Sequence, residues 1–184
     1  LANEGAARAA SLLAPGDRIA IGHVDTATGW TLPLRTADNP AAIARAAHRG
    51  TPGGGGIATD VALRDAYALL RDAPATIRHV LVLADGDDAE QSDACPPLAA
   101  AALRGHITTS VVAIGRGHDE ASLAAIAAAG GGRYYLTEEA HTLPTIFTED
   151  TTLSARNPLR EEEFVPRYVR GAEVLRGVAG GEAV

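Results

Sequence analysis

Within nine residues this chain places five acids and no base: Asp85, Asp87, Asp88, Glu90 and Asp93, directly after the apolar run Val80 to Ala84. Carboxylates crowded together repel one another unless a positive charge sits among them, so the group reads as a candidate cation site with Asp85 as its strongest member. The plainer alternative is a solvated loop, with Asp87 and Asp88 on a turn that points them into water. A second stretch, Gly53-Gly54-Gly55-Gly56-Ile57-Ala58, formally satisfies the G-x-G-x-x-A dinucleotide pattern, but Thr51-Pro52 and a helix precede it where a strand is required. A strict P-loop is excluded because the chain contains no Lys. Gly115-Arg116-Gly117 lies between a strand and a helix, where an anion could sit, although a plain turn accounts for it better. Cys95 has acids nearby and two prolines after it, a setting that raises a thiol pKa, so it reads as structural rather than as a nucleophile served by His79 or His106. The six His form no i, i+4 pair and no H-x-x-E-H motif, and there is no G-x-S-x-G elbow, so neither zinc nor serine-hydrolase chemistry finds a motif. Trp30, between Gly29 and Thr31 near a strand start, reads as a core residue covering a sheet edge.

To aim Asp85, residues 80–84 must form a strand, and so short an apolar run bounded by charge and Gly predicts a central strand buried on both faces of a parallel sheet. Its carboxyl end then lies on the rim where open α/β sheets hold ligands. Around it the chain alternates. Residues 1–14 predict a helix ended by Pro15-Gly16-Asp17, residues 18–24 a buried strand, and residues 30–34 a shorter partner that Pro33 confines to the sheet edge. Asn39 as N-cap and Pro40 at the first helical position open a helix that stops at Gly50. A further helix starts at Thr59 or Asp60, carries Leu63, Ala66, Tyr67 and Leu70 on one face, and closes at Asp72-Ala73-Pro74. Pro96-Pro97 starts a helix ended by Gly105, residues 107–114 form the next buried strand, and Asp119 or Glu120 opens a helix broken by Gly130-Gly131-Gly132. A last strand over 134–137 and a last helix from Leu143 to about Leu153 complete a doubly wound, mostly parallel α/β sheet with helices on both faces. Residues 1–156 thus form one domain, and 157–184, with Glu161 to Glu163 and a Gly-rich end, read as a linker or the start of a following domain.

Length and charge narrow the functions available. A chain of 184 residues buries roughly 70% of its unfolded surface, enough for a proper core. The net charge of −7, with no basic run, argues against nucleic acid or an anionic membrane as partner. No apolar run approaches the ~18 residues of a membrane span. With no Met and a single Cys, the chain reads as a piece of a longer protein without an internal disulfide.

Three stretches together resemble a von Willebrand factor type A domain of the bacterial kind: PGDRIAIGHVDT (15–26), GGGGIATDVALRDAYALL (53–70), and HVLVLADGDD (79–88) with TTSVVAIGRGHDEASLAAIAAAGGGRYY (108–135). The resemblance covers about residues 1–153. It implies a first strand, carrying an Asp-x-Ser-x-Ser motif, upstream of the opening helix. It also implies a divalent cation, usually Mg²⁺, held by three loops at a metal-ion-dependent adhesion site. Of the loop residues, only the third-loop Asp transfers cleanly, to Asp85. The position of the second-loop Thr is taken by Ile57, which cannot ligate a hard cation, while Thr59 substitutes for it if the loop is shifted. One carboxylate and one hydroxyl fall short of the roughly six oxygens Mg²⁺ takes.

The expectation is therefore a non-catalytic protein-binding or scaffolding module of a larger, membrane-associated bacterial protein, with a degraded metal site at Asp85 and Thr59 and a protein or neighbouring domain as partner. The alternative is a nucleotide-binding or accessory domain of a glutamine-amidotransferase-like enzyme, suggested by the EEEFVPRYV stretch in the tail. Without its first strand, the domain is expected to leave a slot between the strands at 18–24 and 78–84, to be filled by an upstream segment or another chain.

Overall fold

A computed structural model describes residue 7 and residues 11–14, 16–24, 26–49, 58–85, 92–115, 117 and 120–155. Most of the expected N-terminal helix, the glycine turn at 53–57, the acids at 87, 88 and 90, and the tail from 156 lie outside the described residues. The strands are β1 (Arg18–Val24), β2 (Thr28–Thr36), β3 (Arg78–Asp85), β4 (Ile107–Ile114) and β5 (Gly131–Thr137). The helices are α1 (Pro40–Ala47), α2 (Thr59–Arg71), α3 (Cys95–Arg104), α4 (Glu120–Ala129) and α5 (Leu143–Ala155).

Local chemistry explains several boundaries. The Asn39 side chain accepts from the Ala42 amide at 2.9 Å and Pro40 follows, as the capping pattern requires. Residues 107–114, ITTSVVAI, alternate cleanly: Ile107, Val111 and Ala113 pack with Leu63, Tyr67, Ala99, Leu123 and Ile126 of α2, α3 and α4, while Val112 packs with Leu143 and Phe147 of α5. A strand covered by helices on both faces is the most buried element of such a fold, and β4 is that strand.

The sheet itself is split. Among the described residues, β3, β4 and β5 form a parallel sheet with β4 in the middle, and β1 and β2 form a separate antiparallel pair. Helix α2 packs against strands of both, and α1 covers the β1–β2 pair through Ile43 and Ala46 against Leu32. This corrects one expectation: residues 80–84 are half-buried and lie at the margin of their hydrogen-bonded sheet, and the central place belongs to β4. The reason is that β1 is not paired to the other side of β3, so one edge of each strand carries no ladder bonds to the other. A second correction concerns Gly131 and Gly132, expected to break the chain before the last strand and found inside it. A Cβ on Gly132 would stand 2.1 Å from the Thr109 carbonyl oxygen, so these glycines permit a close approach of β5 to β4.

Candidate functional site

The carboxyl ends of β3, β4 and β5 define the rim. Asp85 is the last residue of β3, paired in register with Ile114, and Gly115 donates its amide to the Thr137 carbonyl at 2.8 Å to close the β4–β5 end. Helix α2 runs antiparallel to these strands, because its last residue, Arg71, accepts a 2.8 Å bond from the Arg78 guanidinium at the start of β3. Midway along, Tyr67 and Thr109 share a 2.8 Å hydroxyl bond, and Thr109 is level with Val80. From that level Thr59 lies eight residues back along the helix, about 12 Å, and Asp85 five residues on along the strand, about 17 Å. The beginning of α2 and the end of β3 therefore point to the same rim.

Thr59 and Asp60, the first two residues of α2, are both buried. One Asp60 oxygen reaches the Arg64 Nε at 3.6 Å, and the other, Oδ1, is buried without a hydrogen-bond partner among the described residues. Close by, Cys95 opens α3 fully buried, and its thiol is pushed up to about 11, first by burial and then by the Asp60 carboxylate, with Arg64 opposing. A thiol so held is almost wholly protonated near neutral pH and is no nucleophile. It does not meet His79, which points to the α5 face of the sheet while Cys95 packs with the α2–α4 cluster on the other. Among the described residues no cluster of three or more His, Cys, Asp or Glu could hold a metal ion.

Sequence reasoning missed Asp60, whose neighbour Thr59 it had singled out, and it missed Asp150 altogether. Asp60 looks in sequence like any first-turn acid, a favourable and common choice at a helix start. Only packing reveals that its second oxygen is shut away from water. Trp30 is more exposed than expected, at 37%, and lies across Gly22 of β1.

The family profile described as the von Willebrand factor type A domain matches residues 8–136. The chain belongs to this family. Among solved structures, a von Willebrand factor type A protein from Catenulispora acidiphila is 27% identical with a TM-score of 0.73, covering 83% of this chain and 37% of its own. This A domain thus spans little more than a third of that relative. An aerotolerance-related membrane protein from Bacteroides fragilis superimposes with a TM-score of 0.68 at 14% identity, over 83% of this chain and 87% of its own. Proximal thread matrix protein 1 from the mussel byssus, solved with a zinc-occupied MIDAS motif, gives a TM-score of 0.69 at 16% identity, over 82% of this chain and 39% of its own. The last two likenesses show the fold. No curated protein matches the chain. The doubly wound α/β reading of the A domain holds, and no described helix is long and apolar enough to cross a membrane.

Proposed function

We propose that this A domain is a non-catalytic protein-binding or scaffolding module of a larger, membrane-associated bacterial protein, and that its partner surface is the rim formed by the end of β3 and the beginning of α2. The observation that carries this reading is that the beginning of α2 and the end of β3 lie towards one edge of the sheet, next to an Asp60 oxygen that no group of the described chain satisfies. The protonated Cys95 thiol adjoining it favours binding over covalent chemistry. The membrane-protein description of one structural relative and the greater length of another support a place within a larger assembly.

As a cation site the rim is a degraded one. Asp85 and Thr59 are the residues of this chain we assign to it, and a carboxylate with a hydroxyl does not fill the coordination sphere of Mg²⁺. Ile57 adds no oxygen ligand from its side chain. Isothermal titration with Mg²⁺ and Mn²⁺ tests this: the expected outcome is no saturable binding, and micromolar binding abolished by Asp85→Ala would overturn the degraded-site reading while retaining the family.

We further infer that the place between β1 and β3 takes one added strand, from an upstream segment or from another chain, since paired backbone groups on both sides would then close the split sheet. Sedimentation and urea unfolding of residues 1–184 check it. Self-association or a broad, weakly cooperative transition is expected, and a monomer unfolding in one sharp step would show the inference to be mistaken.

A further inference from the structure

Far from the rim, under α5, the sheet holds a polar group in which every member is engaged. Asp150, fully buried in α5, accepts through Oδ1 from the Ser110 hydroxyl at 2.7 Å and the Tyr135 hydroxyl at 3.3 Å. Its Oδ2 faces the His79 Nε2 at 2.8 Å. The other ring nitrogen, Nδ1, is 2.8 Å from the Thr108 hydroxyl, and that hydroxyl reaches on to donate to the Arg78 carbonyl at 3.4 Å. Ser110 is held in turn by the Arg133 amide at 3.0 Å. Strands β3, β4 and β5 thus all converge on one carboxylate from α5.

The bond directions constrain the proton count. A hydroxyl has one proton, and if Thr108 directs it to Arg78, its oxygen must accept from an Nδ1–H. An ionised Asp150 can only accept, so Nε2 must also carry a proton. Losing the Nε2 proton would set a lone pair against a carboxylate oxygen. Losing the Nδ1 proton would turn the Thr108 hydroxyl away from Arg78 and leave Asp150 without a directly bonded cation. The charged and titratable groups facing His79 are few among the described residues. From α5 come Asp150 and, more remotely, the exposed Glu149, from β5 Arg133 and Tyr135, and from β4 only hydroxyls. Arg133 stands 3.9 Å from Oδ1 with its side chain 39% exposed, too distant and too wet to replace the imidazolium.

We propose that His79 carries both ring protons in the folded domain and, as an imidazolium, is the latch that holds the carboxyl half of α5. The apolar contacts of α5, made by Leu143, Ile146 and Phe147, all lie before Asp150, and Leu153 beyond it is 36% exposed. The last turn therefore depends on the polar group. With His79 charged, the buried carboxylate has a cation in direct contact and α5 is pinned to three strands. With His79 neutral, an anion remains in a dry site with weaker compensation, and the end of the helix opens more often.

Two measurements on the full chain test the latch. In spectra with ¹⁵N-labelled histidine, His79 is expected to show both ring nitrogens protonated in the folded domain. In His79→Gln, amide exchange at the end of α5, corrected for intrinsic rates and referenced to α4, is expected to be about tenfold faster than in the natural chain. Should His79→Gln fail to fold, the ring spectrum of the natural chain keeps the test open, and Arg133→Gln is expected to leave exchange at the end of α5 close to that of the natural chain. A His79 ring with a single proton, or α5 protection relative to α4 that is unchanged in His79→Gln, overturns the proposal.

Discussion

Asp60 and Asp150 are both buried carboxylates, and their surroundings are opposite. Asp150 has both oxygens engaged by His79, Ser110 and Tyr135, whereas among the described residues Asp60 has one loose contact with Arg64 at 3.6 Å and one oxygen with no partner. Burying a charge is costly, and the cost is offset only where hydrogen bonds and a counter-charge replace the lost water. Asp150 is so compensated, and it ties a helix to a sheet. Asp60 is not, and it stands beside the rim where a partner could supply what is missing. The closed network is architecture; the open oxygen marks the surface proposed for binding.

The sharpest way to break this comparison is to delete each carboxylate. Asp150→Ala is expected to cost about 3–5 kcal/mol in urea unfolding, because it strands His79 and the strand hydroxyls in a site built around an anion. A cost comparable to an ordinary surface change would remove the distinction. Next in size is acid sensitivity. Burial alone would raise the Asp150 carboxyl, but the bond and charge of His79 with the Ser110 and Tyr135 hydroxyls more than offset it and hold the carboxyl below its ordinary value. A carboxyl depressed by folding contributes stability that is complete above the ordinary carboxylate pKa and is lost as pH falls through the lower folded value. Urea midpoints measured against pH should therefore fall more steeply in acid for the natural chain than for Asp150→Asn. Tyr135, pushed up to about 12 by burial first and by Asp150 second, stays a donor throughout.

The smallest expected effect sharpens the other side. Asp60→Asn should change stability by no more than about 1 kcal/mol, since the ion pair lost among the described residues is with an exposed Arg64. It should also let the Cys95 thiol down from about 11, by removing the second of the two influences that raise it. Alkylation rates of the urea-free protein against pH read this directly. A large stability loss in Asp60→Asn would mean that its unpartnered oxygen is as structural as Asp150.

Much of the fold was legible in the residues. The run 107–114 is apolar throughout except for Thr and Ser, and β4 occupies the expected residues. Asn39-Pro40 started a helix where a side-chain cap and a fixed φ say it must. Glu120 opened α4 and Leu143 opened α5 as expected. Harder to read was anything that depended on a neighbour. The glycines 131–132 look like a breaker because Gly is permissive, and only the Thr109 carbonyl lying against Gly132 turns them into strand. Residues 80–84 carry the composition of a central strand, yet burial is set by what pairs alongside, and that side of β3 has no paired strand among the described residues.

The site divides in the same way. The sequence by itself determined the alternation of strands and helices and the Asp at the end of β3, because period, caps and residue chemistry are local properties. Tertiary structure alone decided that the beginning of α2 and the end of β3 lie towards one rim, that an Asp60 oxygen is sealed without a partner among the described residues, and that His79 meets Asp150 across 71 positions of chain. Hydrogen bonds and desolvation act through space, over a few ångströms, and no spacing along the chain records them.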